Sequence, residues 1–293
     1  MKSLKPLLLS LTLMILTSIS VAQTNGEPPF IASGKAEIIS EPASTNELKI
    51  VSYNIRWRSG EELQQIIRWV REAASSGPVI IGLQEVDRDK KRSGGINHPE
   101  SIAADLGMHY VWASPSAPKS KTPEAETGVA ILSPYPLTEV TRIVLPHPGP
   151  GERRRVAIGA TAQMGKTSIR VYSVHSETRL AVSKKVEQQR ALLDDLQRFP
   201  KEMPAIVLGD FNTWEAPAIK DIRKLFTTAG FETPFPDDET TFRDKFLMFE
   251  VKFKLDWIWV RGLTPQSYGI DRKLAVSDHY PIWTVATLSS HRK

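Results

Sequence analysis

Ionisable and amide residues stand at or beside the ends of several short apolar runs in the sequence. They are Asn54, Glu85, His175, Asp210, Asn212, Asp256, Asp278 and His279. A buried carboxylate is costly unless it is paired or binds a cation. Carboxylates, amides and histidines together can ligate a hard divalent ion and transfer protons. Taken as a series, these residues predict one shared chemical site.

Each of these residues alone has an ordinary explanation. A lone Asp before a turn is usually a cap of that turn, and a lone His at a strand end is more often a hydrogen-bonded structural residue. Asp210 and Asn212 are two residues apart. On an extended strand this spacing places both side chains on one face. The argument for a site therefore depends on the whole series and on its order along the chain.

The elements that must position these residues are short apolar strands with helices between them. Strands are predicted over residues 48–55, 78–86, 109–113, 127–132, 155–162, 168–176, 205–212, 253–260 and 283–288. Helical spacing of apolar residues predicts helices over 61–74, 101–106, 182–199 and 219–229. This pattern predicts an α/β chain of two packed sheets. No repeat and no linker interrupts residues 48–288, which favours one domain.

The composition is that of an ordinary globular protein. Hydrophobic residues make up 41% and charged residues 24%, which excludes a collagenous, coiled-coil or wholly disordered chain. Lys and Arg number 38 against 33 Asp and Glu, and this mild excess permits an anionic substrate. The chain has no Cys, which excludes disulfides, thiolate metal sites, Cys nucleophiles and a lipid-modified N-terminal Cys.

The N-terminal segment is predicted to lie outside the fold. Lys2 and Lys5 precede an apolar stretch, and Ala22 ends a small-residue cleavage site, so residues 1–22 have the pattern of a signal peptide. The alternative is a retained membrane anchor, for which the stretch is short. Residues 23–47 are interpreted as a flexible lead-in and residues 289–293 as a tail. A secreted or periplasmic protein is expected.

The order of the motifs resembles a known family. YNI, LQEV, VHS, GDFN, LDWI and SDHYP occur in the order seen in the endonuclease/exonuclease/phosphatase superfamily, which includes deoxyribonuclease I. ETGVAILSPYPL and the arginines at 153–155 also match. The resemblance covers about residues 48–288. It implies a four-layered α/β sandwich, in which two central β-sheets are flanked by helices and the site lies at one edge.

The resemblance also implies a metal-dependent hydrolase of phosphate esters. Glu85 would be the primary metal ligand, Asn54 would add an amide oxygen, and Asp278 would be a further ligand of the metal or of water. Oxygen donors of this kind suit Mg²⁺ or Mn²⁺ better than Zn²⁺. Either ion would help to stabilise the charged phosphoryl group during in-line attack by water.

Catalytic roles follow from the same resemblance. Asp210 would orient or deprotonate the attacking water, and Asn212 would donate to the phosphate. His279 would either stabilise the pentacovalent state or act as the base. Asp256 would orient His279 by fixing its tautomer.

His175 distinguishes branches of the family. The matching position tends to carry Tyr in abasic-site repair enzymes and His in the deoxyribonuclease I, sphingomyelinase, deadenylase and 5-phosphatase branches. Glu126 matches a position that can orient this His. Arg155 could contact a substrate phosphate, although Arg153 and Arg154 are equally placed by sequence.

Several substrates remain open at this stage. The leading expectation is a phosphodiesterase or endonuclease acting on nucleic acid outside the cytoplasm. The alternatives are a phospholipid phosphodiesterase of the sphingomyelinase type and an inositol phosphate phosphatase, and FLMFEVKF at 246–253 is the apolar candidate for a lipid surface. A non-catalytic binding module is disfavoured by the complete motif set. A monomer with no obligate protein partner is expected.

Overall fold

The computed structural model describes residues 30–37, 45–115, 126–246 and 249–289, except the side chains of residues 245 and 246. The predicted signal peptide lies outside the described residues. The helices are α1 Gly60–Ala74, α2 His98–Leu106, α3 Val182–Leu196 and α4 Ala216–Thr228. The strands are β1 Ile31–Lys35, β2 Glu47–Asn54, β3 Val79–Arg88, β4 His109–Ala113, β5 Glu126–Ser133, β6 Leu137–Val144, β7 Val156–Met164, β8 Thr167–His175, β9 Ala205–Asp210, β10 Phe242–Phe246, β11 Phe249–Phe253, β12 Asp256–Arg261, β13 Leu263–Ile270 and β14 Ile282–Leu288.

Two mixed sheets form the centre of the molecule. One has seven strands in the order β1-β4-β5-β3-β2-β14-β13, and the other has five in the order β12-β9-β8-β7-β6. β2 and β3 are parallel in the first sheet, and β8 and β9 are parallel in the second. Parallel neighbours end at the same edge of a sheet, so their carboxyl ends can build one site.

The sheets pack face to face and the helices cover their outer faces. The core between the sheets contains residues such as Ile50, Ile131, Ile158 and Leu208. A second cluster joins α1 and α2 to the seven-stranded sheet, and a third joins α3 and α4 to the five-stranded sheet. This is the predicted four-layered α/β sandwich, and the prediction is confirmed.

Helix α1 shows why the helices lie where they do. Leu63, Ile66, Ile67 and Val70 recur at one-turn spacing and are all buried. The polar residues between them face solvent, so the helix can bury its apolar stripe only against the sheet. No helix within the described residues is long and apolar enough to span a membrane.

Gly82 of β3 is needed for close packing between the sheets. A Cβ on Gly82 would come within 1.8 Å of Leu208 Cδ1 in β9. Beside it, Gln84 Nε2 donates to Ser173 Oγ at 3.1 Å, a buried polar link between the two sheets. This contact fixes the sheets relative to each other near the ends of β3 and β8.

Some strands are absent from the sequence prediction. β1 lies inside the predicted lead-in and pairs with β4, with Ile31 opposite Ala113. β6, β10 and β13 are also additional, and each of these four strands lies at the edge of its sheet. Edge strands expose much of their surface and lose the dense apolar pattern of central strands. Their existence is decided by the partner strand, which the local sequence does not show.

Candidate active site

Strand register brings the predicted site residues to one edge of the sandwich. His175 is the last residue of β8 and lies opposite Asp210, the last residue of β9. Asp256 begins β12 and lies opposite Asp210 on its other side. Asn54 is the last residue of β2 in the facing sheet. The two sheets thus contribute polar strand ends to a common site.

Asn54 connects the two sheets at this edge. Its Nδ2 donates to Glu85 Oε1 at 3.3 Å and to Asp210 Oδ2 at 3.1 Å. Its Oδ1 accepts the backbone N–H of Arg56 at 3.0 Å. That oxygen keeps a second lone pair, so the role of Asn54 as an oxygen ligand of a metal stays a prediction. In this structure Asn54 holds Glu85 and Asp210 together.

Glu85 leaves the regular strand geometry of β3. The register with β5 shifts between Gln84 and Val86, and Glu85 has a φ of +56°. Such a bulge redirects one side chain of a strand, and a non-glycine residue in this region carries strain. The Glu85 side chain keeps 21% of its surface exposed, so the carboxylate is held at the mouth of the site.

Gly209 and Asn212 shape the segment around Asp210. Gly209 has a φ of +142°, and a Cβ there would come within 2.1 Å of the Val174 carbonyl oxygen. The strand ends at Asp210, and Asn212 has a φ of +50°. The prediction that Asp210 and Asn212 share one face of an extended strand is therefore wrong. Asn212 instead donates from Nδ2 to the Ser176 carbonyl at 3.0 Å and from its N–H to Asp210 Oδ1 at 3.0 Å.

His279 is paired with Asp256, as predicted. His279 Nδ1 lies 2.8 Å from Asp256 Oδ2, and both side chains are buried. Its Nε2 lies 3.7 Å from Asp210 Oδ2. Burial alone would lower the pKa of His279, but Asp256 and Asp210 together outweigh it and raise the pKa to about 10. The ring is therefore an imidazolium at neutral pH, with Nε2–H directed toward Asp210.

His175 has the opposite environment. Arg155 Nη1 donates to His175 Nδ1 at 3.2 Å, and His175 Nε2 lies 3.5 Å from Asp210 Oδ2. Because Nδ1 accepts from a guanidinium, the proton of the neutral ring is on Nε2. Burial first, and then the charges of Arg155, His279 and Arg153, hold the pKa of His175 well below its usual range. The ring is neutral and presents one N–H to the site.

Asp210 lies between the two histidines and is almost fully buried. Burial raises the pKa of Asp210 well above its usual range, with Asp256 reinforcing the effect and His279 opposing it. A carboxylate whose pKa is raised in this way is a stronger proton acceptor than an exposed one. Its position suits a group that takes a proton from a water molecule.

Three predicted residues occupy other environments than expected. Arg155 donates to His175 and to Glu177 Oε2, the latter at 3.3 Å, so both of its contacts are within the protein. Asp278 Oδ2 accepts Arg56 Nη1 at 2.6 Å and forms an ion pair at the edge of the site. Glu126 is buried, and its Oε1 has no hydrogen-bond partner among the described residues. The place beside His175 Nδ1 that Glu126 was expected to take is occupied by Arg155.

Two residues that the sequence reasoning missed support the site from behind. Glu177 accepts both Arg153 and Arg155 and thereby holds the arginine that contacts His175. Lys185 is fully buried and donates from Nζ to the Asn212 carbonyl at 3.0 Å and to Glu215 Oε2 at 2.9 Å. Glu177 could have been suspected from its place two residues after His175. Lys185 lies in a helix and carries no local signal.

The donor set at the mouth of the site fits a hard divalent cation. Glu85 and Asp210 are linked through Asn54, and within the described residues neither carboxylate is paired with Lys or Arg. Adjacent carboxylates of this kind attract a small cation with oxygen ligands. Asp210, Asp256 and His279 also offer ligand atoms within 4.8 Å of one another. The 2.8 Å hydrogen bond between Asp256 and His279 already engages one ligand atom of each, so this second group is less suited to hold a metal.

A cavity of about 270 Å³ opens beside His175, between the ends of β5 and β7. A larger depression of about 1170 Å³ lies between α3 and α4. None of the strand-end residues lines that depression. His175 lines the smaller cavity, so that cavity adjoins the strand-end cluster at one side.

The sequence matches the family model described as "Endonuclease/Exonuclease/phosphatase family" over residues 51–279. No curated protein matches the chain. Among solved structures, the endonuclease/exonuclease/phosphatase from Beutenbergia cavernae is 17% identical, with a TM-score of 0.66, and covers 83% of this chain and 72% of its own.

Two further structures share the fold. The human Nocturnin catalytic domain with bound sulfate is 16% identical, with a TM-score of 0.62, over 88% of this chain and 98% of its own. TDP2 of D. rerio, complexed with a single-strand DNA product, is 14% identical, with a TM-score of 0.63, over 82% of this chain and 99% of its own. At these identities the likeness shows the fold alone.

Proposed function

Because this chain belongs to the Endonuclease/Exonuclease/phosphatase family, we propose that it hydrolyses phosphodiesters with Mg²⁺ or Mn²⁺ as its cofactor. The observation that carries the proposal is the buried series Asp256, His279 and Asp210. Asp256 and His279 are 2.8 Å apart, and His279 and Asp210 are 3.7 Å apart. Asn54 links Asp210 to the Glu85 carboxylate by donating to both. The arrangement combines a proton acceptor, a cationic donor and a cation site within one strand-end cluster.

The two histidines and Asp210 divide the chemistry between them. The water oxygen bonds to phosphorus while the bond to the leaving oxygen breaks, and its electron pair stays with that oxygen. Asp210 takes the water proton, and the departing alkoxide takes a proton from solvent. His279, charged at neutral pH, donates from Nε2 to a phosphoryl oxygen as negative charge develops there. This charge state supports the role of stabiliser for His279 over that of base. His175 Nε2–H, on the other side of Asp210, donates a second hydrogen bond to the phosphoryl group.

Glu85 is the residue that would hold the metal, which when bound supplies positive charge to the phosphoryl group. Asn54 fixes the Glu85 carboxylate by donating to it at 3.3 Å. Replacing Glu85 by Gln removes the charge at nearly constant shape. We expect turnover to fall by roughly 10²–10⁴-fold, with the melting temperature preserved.

The test is a parallel assay of purified protein after chelation and re-addition of Mg²⁺. The substrates are plasmid DNA, RNA, sphingomyelin vesicles, an inositol polyphosphate, bis(p-nitrophenyl) phosphate and p-nitrophenyl phosphate. Glu61→Gln, on the exposed face of α1, is the matched control and should leave turnover unchanged. Full activity in excess chelator would contradict the requirement for a metal. Cleavage of p-nitrophenyl phosphate alone would contradict the proposed phosphodiesterase activity.

A second candidate function is hydrolysis of a phospholipid. The hairpin β10–β11 packs against the site, because the Phe242 ring meets the His279 ring at 5.0 Å and Arg243 N–H donates to the Asp278 carbonyl at 2.8 Å. Phe249 on the same hairpin is 70% exposed. An exposed aromatic beside a phosphoesterase site suits a lipid surface. Under this alternative, Phe249→Ala should slow hydrolysis of sphingomyelin in vesicles without slowing bis(p-nitrophenyl) phosphate.

We also propose that the protein acts outside the cytoplasm and as a monomer. The basic, apolar and small-residue pattern of residues 1–22 supports export. Expression of the full chain in a bacterium should yield a periplasmic or secreted product beginning at Gln23, and light scattering should give the monomer mass. An intact N-terminus on a membrane-bound product would contradict export.

A further inference from the structure

The cavity beside His175 has a basic wall. Lys90, from the segment after β3, and the arginines at 153–155, from the segment before β7, line it together with His175. Nothing in the hydrolytic chemistry described above uses this cavity. Its position next to a catalytic histidine makes it a place for part of the substrate that does not react.

Glu177 divides the three arginines into two classes. Its Oε1 accepts Arg153 Nη2 at 2.5 Å, and its Oε2 accepts Arg153 Nε at 2.9 Å and Arg155 Nε at 3.3 Å. Arg155 also contacts His175. Arg154 makes no hydrogen bond or ion pair with any other described residue and is partly exposed at the cavity. The structure therefore leaves Arg154 as the guanidinium that can bind a ligand.

The charge balance of the wall is positive. Glu177 is matched by Arg153 and Arg155, which leaves Arg154 and Lys90 against one acid, Glu126. Burial raises the pKa of Glu126, and the charges of Arg88, Lys90 and Arg142 oppose that rise, Lys90 from within the cavity wall. A small anion entering the cavity would meet Arg154, which has no acidic partner among the described residues, and Lys90, whose charge acts on Glu126. Phosphate oxygens are the natural partners of such a guanidinium.

His175 sets the distance between this cavity and the reaction centre. Its Nε2 faces Asp210 at 3.5 Å, and its Nδ1 faces Arg155 at 3.2 Å on the cavity side. The His175 ring therefore lies between Asp210 and the cavity. We propose that the cavity binds a second phosphate group of the substrate through Arg154 and Lys90, an inference that rests on the proposed function.

The substrate class follows from this second phosphate. A nucleic acid strand and an inositol polyphosphate both carry a phosphate near the one that is cleaved. Sphingomyelin carries one phosphate and would leave the cavity without its ligand. The cavity therefore favours a substrate with several phosphates over a simple phospholipid, and Arg154 is its specificity-determining residue.

The test measures binding, so that it does not depend on turnover. Calorimetry in chelator compares thymidine 3′,5′-bisphosphate with thymidine 5′-monophosphate, and myo-inositol 1,4-bisphosphate with myo-inositol 1-phosphate. One additional charge-assisted hydrogen bond to the second phosphate should make the bisphosphate of the matching pair bind roughly tenfold more tightly than its monophosphate. A preference in the thymidine pair identifies a nucleic acid strand as the source, and one in the inositol pair identifies an inositol polyphosphate.

Arg154→Gln should abolish that preference and lower the salt dependence of bisphosphate binding by about one ion. Arg190→Gln, on the exposed face of α3, is the matched control and should keep the preference. Equal affinity of wild-type protein for mono- and bisphosphates, or an Arg154→Gln protein with an unchanged ratio, would overturn the proposal. Failure of the proposed hydrolysis would show instead as absent turnover on bis(p-nitrophenyl) phosphate.

Discussion

His175 and His279 lie on opposite sides of Asp210, yet their surroundings give them opposite charge states. His279 is held by Asp256 at 2.8 Å, and its pKa is raised to about 10. His175 is held by Arg155 at 3.2 Å, and its pKa is lowered. Both rings are almost completely buried. Burial alone would make both neutral, so the difference comes from the sign of the nearest charge.

The comparison assigns different tasks to two residues of the same type. A buried imidazolium can donate to developing negative charge, whereas a neutral imidazole with its proton on Nε2 supplies a weaker donor and no net charge. One site therefore contains a charged and an uncharged donor on either side of the same carboxylate. Changing the partner of each ring should change the role of that ring.

The largest expected effect is on the charged side. Asp256→Asn should lower kcat by roughly 10²–10⁴-fold, because His279 loses the group that fixes its tautomer and raises its pKa. His279→Ala should be at least as damaging. The double variant should be little worse than His279→Ala, because residues that act as one unit are not additive.

The measurement is kcat together with thermal stability for both single variants and the double. Multiplicative losses in kcat would show that the two residues act independently. An Asp256→Asn protein with full turnover and a lowered melting temperature would reduce Asp256 to a structural role.

The next effect is on stability, where the two histidines should give opposite slopes with pH. His279 binds its proton more tightly when folded, so its contribution is complete below pH 6.5 and is lost as pH rises through about 10. His175 binds its proton less tightly when folded, so stability falls as pH drops below 6.5 and the unfolded chain is protonated. Each unit of pKa difference contributes about 1.4 kcal/mol.

Urea unfolding of the metal-free protein across this range checks the slopes. His279→Asn should flatten the alkaline limb and His175→Asn the acid limb. Asp210, whose pKa is also raised, adds to the loss with rising pH in both variants. If both substitutions flattened the same limb, the opposite charge states would be refuted.

The smallest effect is expected from the residue behind the uncharged side. Glu177→Gln loosens Arg153 and Arg155, so His175 loses its fixed tautomer. The expected cost is about 10–100-fold in kcat with a smaller change in KM, the usual size for a residue that orients another group. Glu187→Gln, an exposed residue on α3, is the matched control.

The nitrogen-15 chemical shifts of His175 distinguish a positioning role from a structural one. Wild-type protein should show the proton on Nε2, and Glu177→Gln should show a mixture of tautomers. An unchanged tautomer alongside reduced kcat would place the effect of Glu177 elsewhere.

Much of the fold and the membership of the site could be predicted, and the reasons are local. Apolar runs ending in polar residues predicted the central strands, and α1 differs from its predicted range only by beginning at Gly60. α2 begins at His98, earlier than predicted, because Pro99 occupies the first turn, where its missing N–H costs nothing. FLMFEVKF at 246–253 contains β11, whereas its partner β10 was not predicted.

The environment of each site residue could not be predicted to the same extent. Asn212 turns through positive φ, so its side chain reaches the Ser176 carbonyl instead of sharing a face with Asp210. Arg155, expected at a substrate phosphate, also contacts His175 and Glu177, which the sequence did not indicate. Asp278, expected at the metal, is paired with Arg56 from a segment 222 residues away.

The sequence by itself determined the family, the α/β sandwich and the polar strand ends, because strand periodicity and motif order are properties of neighbouring residues. Only the tertiary structure decided which charge faces each of those ends. Arg155 lies in the segment before β7 and contacts His175, and Asp256 is the first residue of β12 and contacts His279. A pKa depends on burial and on charges a few ångströms away, and these are set by strand pairing and sheet packing rather than by spacing along the chain.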